Sequence, residues 1–530
     1  MFLRKKLVIT NIAPLVVFLF SFSINQYFGN RGVFPIDSFS HFDLGFRVLN
    51  GEHPFKDYWL VSGPIVDYLQ GLIFLIFDTN WQTYLLNASI LNGILSVATY
   101  KLFASFNLKK SYCFFYAICF SILAYPSSAT PFVDHHSVFF SLIAIYFLIY
   151  ALRDEKKIYW FFIPVFLLMA FLSKQVPSTY VFISILIIIF YHFTLNNKRK
   201  NLETFLVLLI SSFICLVLLL VFLNIQKIDF QSFLIQYIRF PQEIGGIRYE
   251  ELKYGMKNIF FDFKFIHFSF FLLLLLNVKK ISKFNGFYKK INFKLFLIFF
   301  LLIVSLIHHQ ILSKNQIFIF FLIPLLLAFT QIELTNYNIK FKNIFTFLLI
   351  FICLFTTYKY HVRFNLDRKF HELSKIDISN SLEATLISQK LKGLKWITPE
   401  NNNKKKLINE IDSINKIKDV LEEDKNKKMI LTNFSFFSVL LDQSSNTPSR
   451  WFPENNSTFP TKGSKFYSYY KNFLISQIKK KNIDSIYIIY DVSEKNLFNY
   501  IDPKCFDQII ATEVFSKYII NRNCAYLSGK

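Results

Sequence analysis

The stretch WLVSGPIVDYLQGLIFLIF, residues 59–77, is apolar enough for a membrane span yet is interrupted by Gly63, Pro64 and Asp67. Its reading decides the fold, because a helix that crosses the bilayer sends every later loop to the opposite side. Lys and Arg close to span ends are retained on the cytoplasmic side. If residues 59–77 cross, the later basic clusters all point outward; if they do not, all point inward. The stretch is therefore read as an interfacial or re-entrant helix.

Around it lies a membrane protein. The 530 residues are 53% hydrophobic and 19% aromatic, with a mean hydropathy of +0.37, well outside the soluble norm. The formal net charge of +24 falls in short clusters between apolar runs, not along one face, which argues for membrane orientation and against a nucleic-acid partner. Runs long enough to cross hydrocarbon occur near 7–28, 82–104, 111–126, 136–152, 158–173, 177–195, 202–225, 261–278, 293–311, 315–332 and 343–360, about eleven spans in all. The first follows Arg4, Lys5 and Lys6; no small-residue cleavage site comes after it, so it reads as a retained anchor.

With the amino terminus inside, the inner loops carry Lys109 and Lys110; Arg153, Lys156 and Lys157; Lys198, Arg199 and Lys200; Lys279, Lys280, Lys283, Lys289 and Lys290; and Lys340 and Lys342. Every inner loop is then basic. The outer side receives the first loop (29–81), SSATPFVDHHS (127–137), SKQVPS (173–178), residues 230–255 and HHQILSKNQ (308–316). Nearly all the unusual polar residues share that side, and ionisable groups at membrane depth tend to mark sites. A helical membrane domain, 1–360, is followed by a charged segment, 361–530, with no further span and length enough for its own core. KMILTNF (428–434) and DSIYIIY (484–490) read as buried strands and FYSYYKNFLISQIKKK (466–481) as a helix, giving an extracytoplasmic α/β domain. Cys505 and Cys524 are the two cysteines of that domain. An exported pair suggests a disulfide, with two separately buried thiols as the alternative.

The first loop carries a pattern: Asp37, then Gly51, Pro54, Phe55, Lys56, Asp57, Tyr58, Trp59, Gly63 and Pro64. A first span, an outer loop with an early Asp, this G-x-x-P-[YF]-[RK]-D-[FY]-W…GP stretch, many further spans and an outer carboxy-terminal domain resemble the GT-C superfamily of polyprenyl-phosphate-dependent glycosyltransferases. Protein O-mannosyltransferases and aminoarabinose transferases are the relatives in view. The resemblance is local, over about residues 30–105 together with the architecture. It departs where many relatives have an acidic pair, since Asp37 is followed by Ser38. The resemblance implies a polytopic GT-C-like fold in the bacterial cytoplasmic membrane, amino terminus inside and carboxy-terminal domain periplasmic. It implies a polyprenyl-phosphate sugar donor and an envelope glycan, lipid or protein acceptor, and leaves a divalent metal open.

Such a transfer needs a base for the acceptor hydroxyl, and Asp37 or Asp43 can serve. Cations at headgroup depth stabilise the leaving phosphate; Lys174, Lys314, Arg239 and Arg248 are the candidates. Each has a plainer rival. Asp37 can cap a short helix, and the lysines can simply anchor span ends. Asp134 and His135 can bind acceptor or metal, although adjacent residues do not easily share one helix face and loop polarity accounts for them as well. A lipid-linked glycan polymerase or flippase, needing no aspartate base, stands as the competing class; internal inverted repeats would favour transport.

Overall fold

The computed structural model describes the chain except residues 1, 125–128, 282–290, 315–318, 336–340, 402, 454–455, 490–491, 522 and 525–530, and except the side chains of 2–11, 278–281 and 508. Lys283, Lys289, Lys290 and Lys340, part of the expected inner basic loops, lie outside the described residues.

In chain order the helices are α1 (Phe2–Gly29), α2 (Pro35–Ser38), α3 (Ser40–Leu49), α4 (Pro64–Ile76), α5 (Trp81–Ser105), α6 (Lys110–Ala124), α7 (Val133–Asp154), α8 (Lys157–Ser173), α9 (Gln175–Leu195) and α10 (Lys198–Ile225). Then come α11 (Phe230–Leu234), a π-helical turn at Ile235–Arg239, α12 (Phe240–Glu250), α13 (Lys264–Ile281), α14 (Ile291–Leu312), α15 (Leu322–Thr335) and α16 (Lys342–His361). The remainder adds β1 (Leu382–Glu383), β2 (Lys395–Trp396), α17 (Lys404–Glu423), β3 (Lys428–Leu431), α18 (Phe437–Leu441), α19 (Tyr467–Lys481), β4 (Ser485–Ile489), α20 (Lys495–Phe498), β5 (Phe506–Ala511) and β6 (Phe515–Ile520).

The chain forms two compact units, each assembled from separate stretches. One comprises Met1–Gly29, Leu85–Leu219 and Glu251–Phe370; the other comprises Asn30–Tyr84, Leu220–Glu250 and His371–Lys530. The first loop groups with the carboxy-terminal residues because its aromatic and polar side chains find their partners there.

Among the described residues, six segments are long and apolar enough to cross a membrane: Ile12–Gly29, Val133–Asp154, Gln175–Leu195, Lys198–Ile225, Ile291–Leu312 and Lys342–His371. The other five of the eleven expected spans fall on the shorter helices α6, α8, α13 and α15 and on α5. Helix α5 is 25 residues long but carries Ser89, Ser96 and Thr99, which lower its hydropathy. Their hydroxyls are engaged: Asn25 donates to Ser89 Oγ at 2.9 Å, Ser21 and Ser96 lie 3.1 Å apart, and Thr99 meets Tyr146 at 2.8 Å. Polar groups on a buried helix are tolerated when neighbouring helices satisfy them.

The second unit holds a four-stranded sheet in the order β3-β4-β6-β5. Strands β3 and β4 run parallel, with Met429 opposite Ile486 and Leu431 opposite Ile488; β6 is antiparallel to both β4 and β5. The two parallel strands are buried along their length, as their unbroken apolar runs require. Cys505 and Cys524 are joined by a disulfide across 19 residues.

Helix α4 is the element on which the topology turned. Its 13 residues reach only about 20 Å, short of the hydrocarbon core of about 30 Å. Asp67, Gln70 and Phe74 are buried on one face, while Leu72, Leu75 and Ile76 are 52%, 70% and 63% exposed. A polar buried stripe opposite an apolar exposed one is the inverse of a water-facing helix. Helices α3 and α4 approach closely at two glycines. A Cβ on Gly45 would lie 2.4 Å from Gln70 Cγ, and one on Gly71 would lie 2.9 Å from Val48 Cγ1.

Candidate active site

Asp37 lies on α2, a helix of four residues opened by Pro35 at its first position, where a missing N–H costs nothing. The residue before the helix is Phe34, and no side chain caps it there. Ser38 Oγ accepts from Phe34 N at 3.0 Å. Asp37 is partly exposed. The following Phe39 is buried and fixes the segment in place, edge-on to Phe436 at 4.8 Å and stacked on Trp396 at 5.9 Å.

Asp43 is set differently. It is 2% exposed on α3, with Arg47 Nη1 at 4.0 Å. Burial raises its pKa, opposed by Arg47 and by a hydrogen bond with Ser438. Arg47 is itself fully buried, bonded through Nε to Glu52 at 2.7 Å and through Nη1 to the Thr447 carbonyl at 2.9 Å. Lys481 closes on Glu52 at 3.2 Å, and Ser444 Oγ donates to the same carboxylate. Burial works against the Glu52 charge, but Arg47 and Lys481 outweigh it and hold its pKa at about 2. Asp57 accepts from its own loop, at His53 N (2.9 Å), and from Lys480 (2.8 Å).

Asp67, from α4, meets His41 Nδ1 at 2.6 Å and accepts from Tyr58 at 3.2 Å. Burial pushes its pKa up to about 7, against the pull of Arg450, and burial drops that of His41. Arg450 is 5% exposed and donates through Nη2 to the Ser62 carbonyl at 2.6 Å.

The loop motif is thus a docking surface. Trp59 is fully buried, edge-on to Tyr470 at 5.2 Å and Phe240 at 5.8 Å, inside the core built by β3, β4 and α19. The backbone N–H of Trp59 donates to the Pro448 carbonyl at 2.8 Å. Gln236, from the π-helical turn, accepts from Leu60 N at 3.1 Å and donates to the Phe55 carbonyl at 2.9 Å. Phe55 and Gly63 hold left-handed backbone at φ 70° and 88°, so the loop folds back on itself to present Trp59.

The first unit has its own polar cluster. Asp134, in the first turn of α7, accepts from Lys174 at 2.7 and 2.9 Å and pairs with His309 at 2.8 Å. The ring of His135 lies edge-on to Phe139 at 5.3 Å. His136 meets Asn87 at 2.9 Å. Among the described residues no group of three or more His, Cys, Asp or Glu is placed to hold a metal ion. Lys314 is 78% exposed and pairs with Glu251 at 3.2 Å. Arg239 and Arg248 are both exposed, on the π-helical turn and on α12 of the second unit.

His309, Arg47, Asp67 and Arg450 escaped sequence reasoning. A buried arginine in SRWF (449–452) looks like any surface arginine, and its burial depends on a loop nearly 400 positions earlier. His309 stood in a stretch read as a loop, whereas α14 extends through it.

Residues 53–224 match the family described as dolichyl-phosphate-mannose-protein mannosyltransferase, a glycosyltransferase family of the GT-C superfamily. The match starts within the loop motif and runs through α10, leaving Asp37, Asp43 and the carboxy-terminal residues outside it. No curated protein matches the chain.

Proposed function

We propose that this membrane glycosyltransferase moves a sugar from a polyprenyl-phosphate donor to an envelope glycan, lipid or protein on the outer face of the bacterial cytoplasmic membrane. Asp37 is its general base. The observation that carries the assignment is accessibility. Of the carboxylates on α2 to α4 and in the motif between them, Asp43, Asp57 and Asp67 are buried and Glu52 is gripped by Arg47 and Lys481, whereas Asp37 is partly exposed; Asp78, beyond α4 at the far end of the loop, is exposed and accepts from Thr79 N at 2.7 Å.

The Asp37 carboxylate takes the proton of the acceptor hydroxyl as its oxygen attacks the anomeric carbon. The bond from that carbon to the phosphate oxygen breaks, and the lipid phosphate leaves with the electron pair, giving inversion. Lys174 and Lys314 meet the phosphate, and residues 230–255 with the carboxy-terminal domain shape the acceptor site. An apolar groove of about 500 Å³ between α8, α9 and α10, walled by Leu167, Phe182, Ile185 and Leu216, supports a prenyl chain as part of the donor. Its Ser178 and Thr179 stand a turn from Lys174.

Wild type and Asp37→Asn, reconstituted in liposomes and offered a panel of polyprenyl-phosphate sugars, test the reading. Asn keeps size and cannot accept the proton, so turnover is expected to fall about 100-fold or more with donor affinity retained. Undiminished turnover in Asp37→Asn removes the base, and absence of any product with wild type returns the polymerase or flippase reading.

A further inference from the structure

A polar cleft of about 610 Å³ lies in the second unit, where residue 30, residues 78–82 and residues 389–393 meet. Its volume falls within the range of about 300–1,000 Å³ found for small-molecule sites. Amides hold its wall together. Asn30 Oδ1 accepts from Gln82 Nε2 at 2.7 Å and from Trp81 Nε1 at 3.0 Å, and Gln82 Nε2 also donates to the Lys392 carbonyl at 3.1 Å. Lys395 N donates to the Asn30 carbonyl at 2.8 Å. Gly393 permits this close approach: it holds left-handed backbone at φ 93°, and a Cβ there would stand 2.4 Å from Gln82 Nε2. Lys390 is turned to the Val439 carbonyl at 2.7 Å and to the Asp442 carboxylate, which pins the turn at 389–391.

Building the wall leaves other polar groups unused. Asp78 gives one oxygen to Thr79 N at 2.7 Å, and Asn80 gives its oxygen to Thr83 N at 3.0 Å as the cap of α5. Among the described residues, the second Asp78 oxygen, the Asn80 NH2, the Gln389 amide and the Lys392 ammonium have no protein partner. One free cation stands against one free carboxylate, so the cleft offers no net charge to a phosphate. Hydroxyls suit it better, because each donates one hydrogen bond and accepts others, and neighbouring hydroxyls on a ring can satisfy a carboxylate and an amide together. Trp81 links the cleft to the Asp37 segment: its indole N–H reaches Asn30, while its ring lies 5.5 Å from that of Phe39.

We propose that this cleft is a saccharide site, in which Asp78, Asn80, Gln389 and Lys392 hold the glycan of the acceptor by its hydroxyls. Saccharide binding stands on the cleft alone; the acceptor role rests on the transferase reading above. Trp81 is buried, and no aromatic ring is among the described residues that line the cleft. Hydrogen bonds therefore carry the binding, and a short glycan is expected to bind with a Kd of about 1 mM.

Such weak binding is read by saturation-transfer NMR on the full chain in phosphatidylcholine nanodiscs, with maltotriose, mannotriose and chitotriose as probes and glycerol phosphate as the anionic comparison. At least one trisaccharide is expected to receive saturation from wild type. Gln389→Ala with Lys392→Ala is expected to weaken that binding about tenfold, while Lys416→Ala, exposed on α17, leaves it unchanged. Asn80→Asp keeps the oxygen that caps α5 and removes the NH2 donor, so it is expected to weaken binding without loss of fold. No signal from any trisaccharide overturns the proposal, as does equal binding by wild type and both cleft variants. A signal from glycerol phosphate alone, lost in Lys392→Ala, also overturns it and makes the cleft an anion site. A transfer assay separates the two readings. With a glycan acceptor, Gln389→Ala with Lys392→Ala is expected to raise the acceptor KM about tenfold at an unchanged donor KM; an unmoved acceptor KM removes the acceptor role. If wild type binds sugar but transfers none from any polyprenyl-phosphate donor, the transferase reading fails and the saccharide site stands.

Discussion

The pairing of Arg47 with Glu52 shows how a single residue holds the first loop. Arg47 is fully buried and its partner is 16% exposed, so removing the guanidinium leaves a carboxylate inside the protein with only Lys481 to answer it. Arg47→Ala is expected to cost about 3–5 kcal/mol, read as a lower unfolding midpoint in detergent at pH 7; a loss below about 1 kcal/mol would mean the pair is decorative. The pH dependence has a definite sign. Glu52 titrates at about 2 in the fold against 4.5 as its ordinary value, so the unfolded chain binds the proton more readily. Its contribution is complete above about pH 4.5 and is lost as pH falls toward 2. Glu52→Gln should flatten that part of the stability curve. Glu52 and Arg47 are visible in the sequence, but their partnership is not. Asp37 could be nominated because its loop motif is local in sequence; the burial of Arg450 and His309 could not be read, because nothing near them in the chain signals it.

At the level of elements, hydrophobic runs and strand patterns read well. KMIL and SIYII became β3 and β4, and FYSYYKNFLISQIKKK became α19 from Tyr467 onward. Interiors of helices and parallel strands announce themselves by composition, whereas the partner of a polar face does not. Helix α4 makes the point: the basic clusters of the later loops, and not its own composition, argued against crossing, and its length with inverted amphipathicity favours the same reading. If it lies at the interface, single cysteines at Leu72, Leu75 and Ile76 carrying a fluorophore should all be quenched by headgroup-depth lipid quenchers. A graded depth along the three would instead indicate a crossing helix. The close approach of α3 to α4 sets a second expectation. Gly71→Val places branched carbon where Val48 and the Gly45 carbonyl already stand, an overpacking cost of about 1–3 kcal/mol, measurable as a lower midpoint than that of a control substitution at the exposed Leu72.

For the whole molecule, the basic clusters of the helical part motivate an inner amino terminus and an outer segment 361–530. A cysteine at Asp412, exposed on α17, is expected to react with an impermeant maleimide in intact cells; reaction only after permeabilisation would reverse the orientation. The disulfide at Cys505 and Cys524 closes a short loop, and Cys505→Ala with Cys524→Ala is expected to lose about 3 kcal/mol by loop-entropy reasoning. The grouping of the first loop with residues 371–530 was the least legible feature, since it depends on Trp59 finding a core whose strands begin at Lys428. That burial also orders events in time. Trp59 leaves the ribosome with most of the chain unmade, and at synthesis rates of about 5–20 residues per second its pocket follows only after roughly 20–75 s. Until then the motif has nothing to dock into and Asp37 sits on an unfinished loop. A chain cut short before β3 would carry its helices without the pocket for Trp59 and, on the function proposed above, is expected to be inactive from birth.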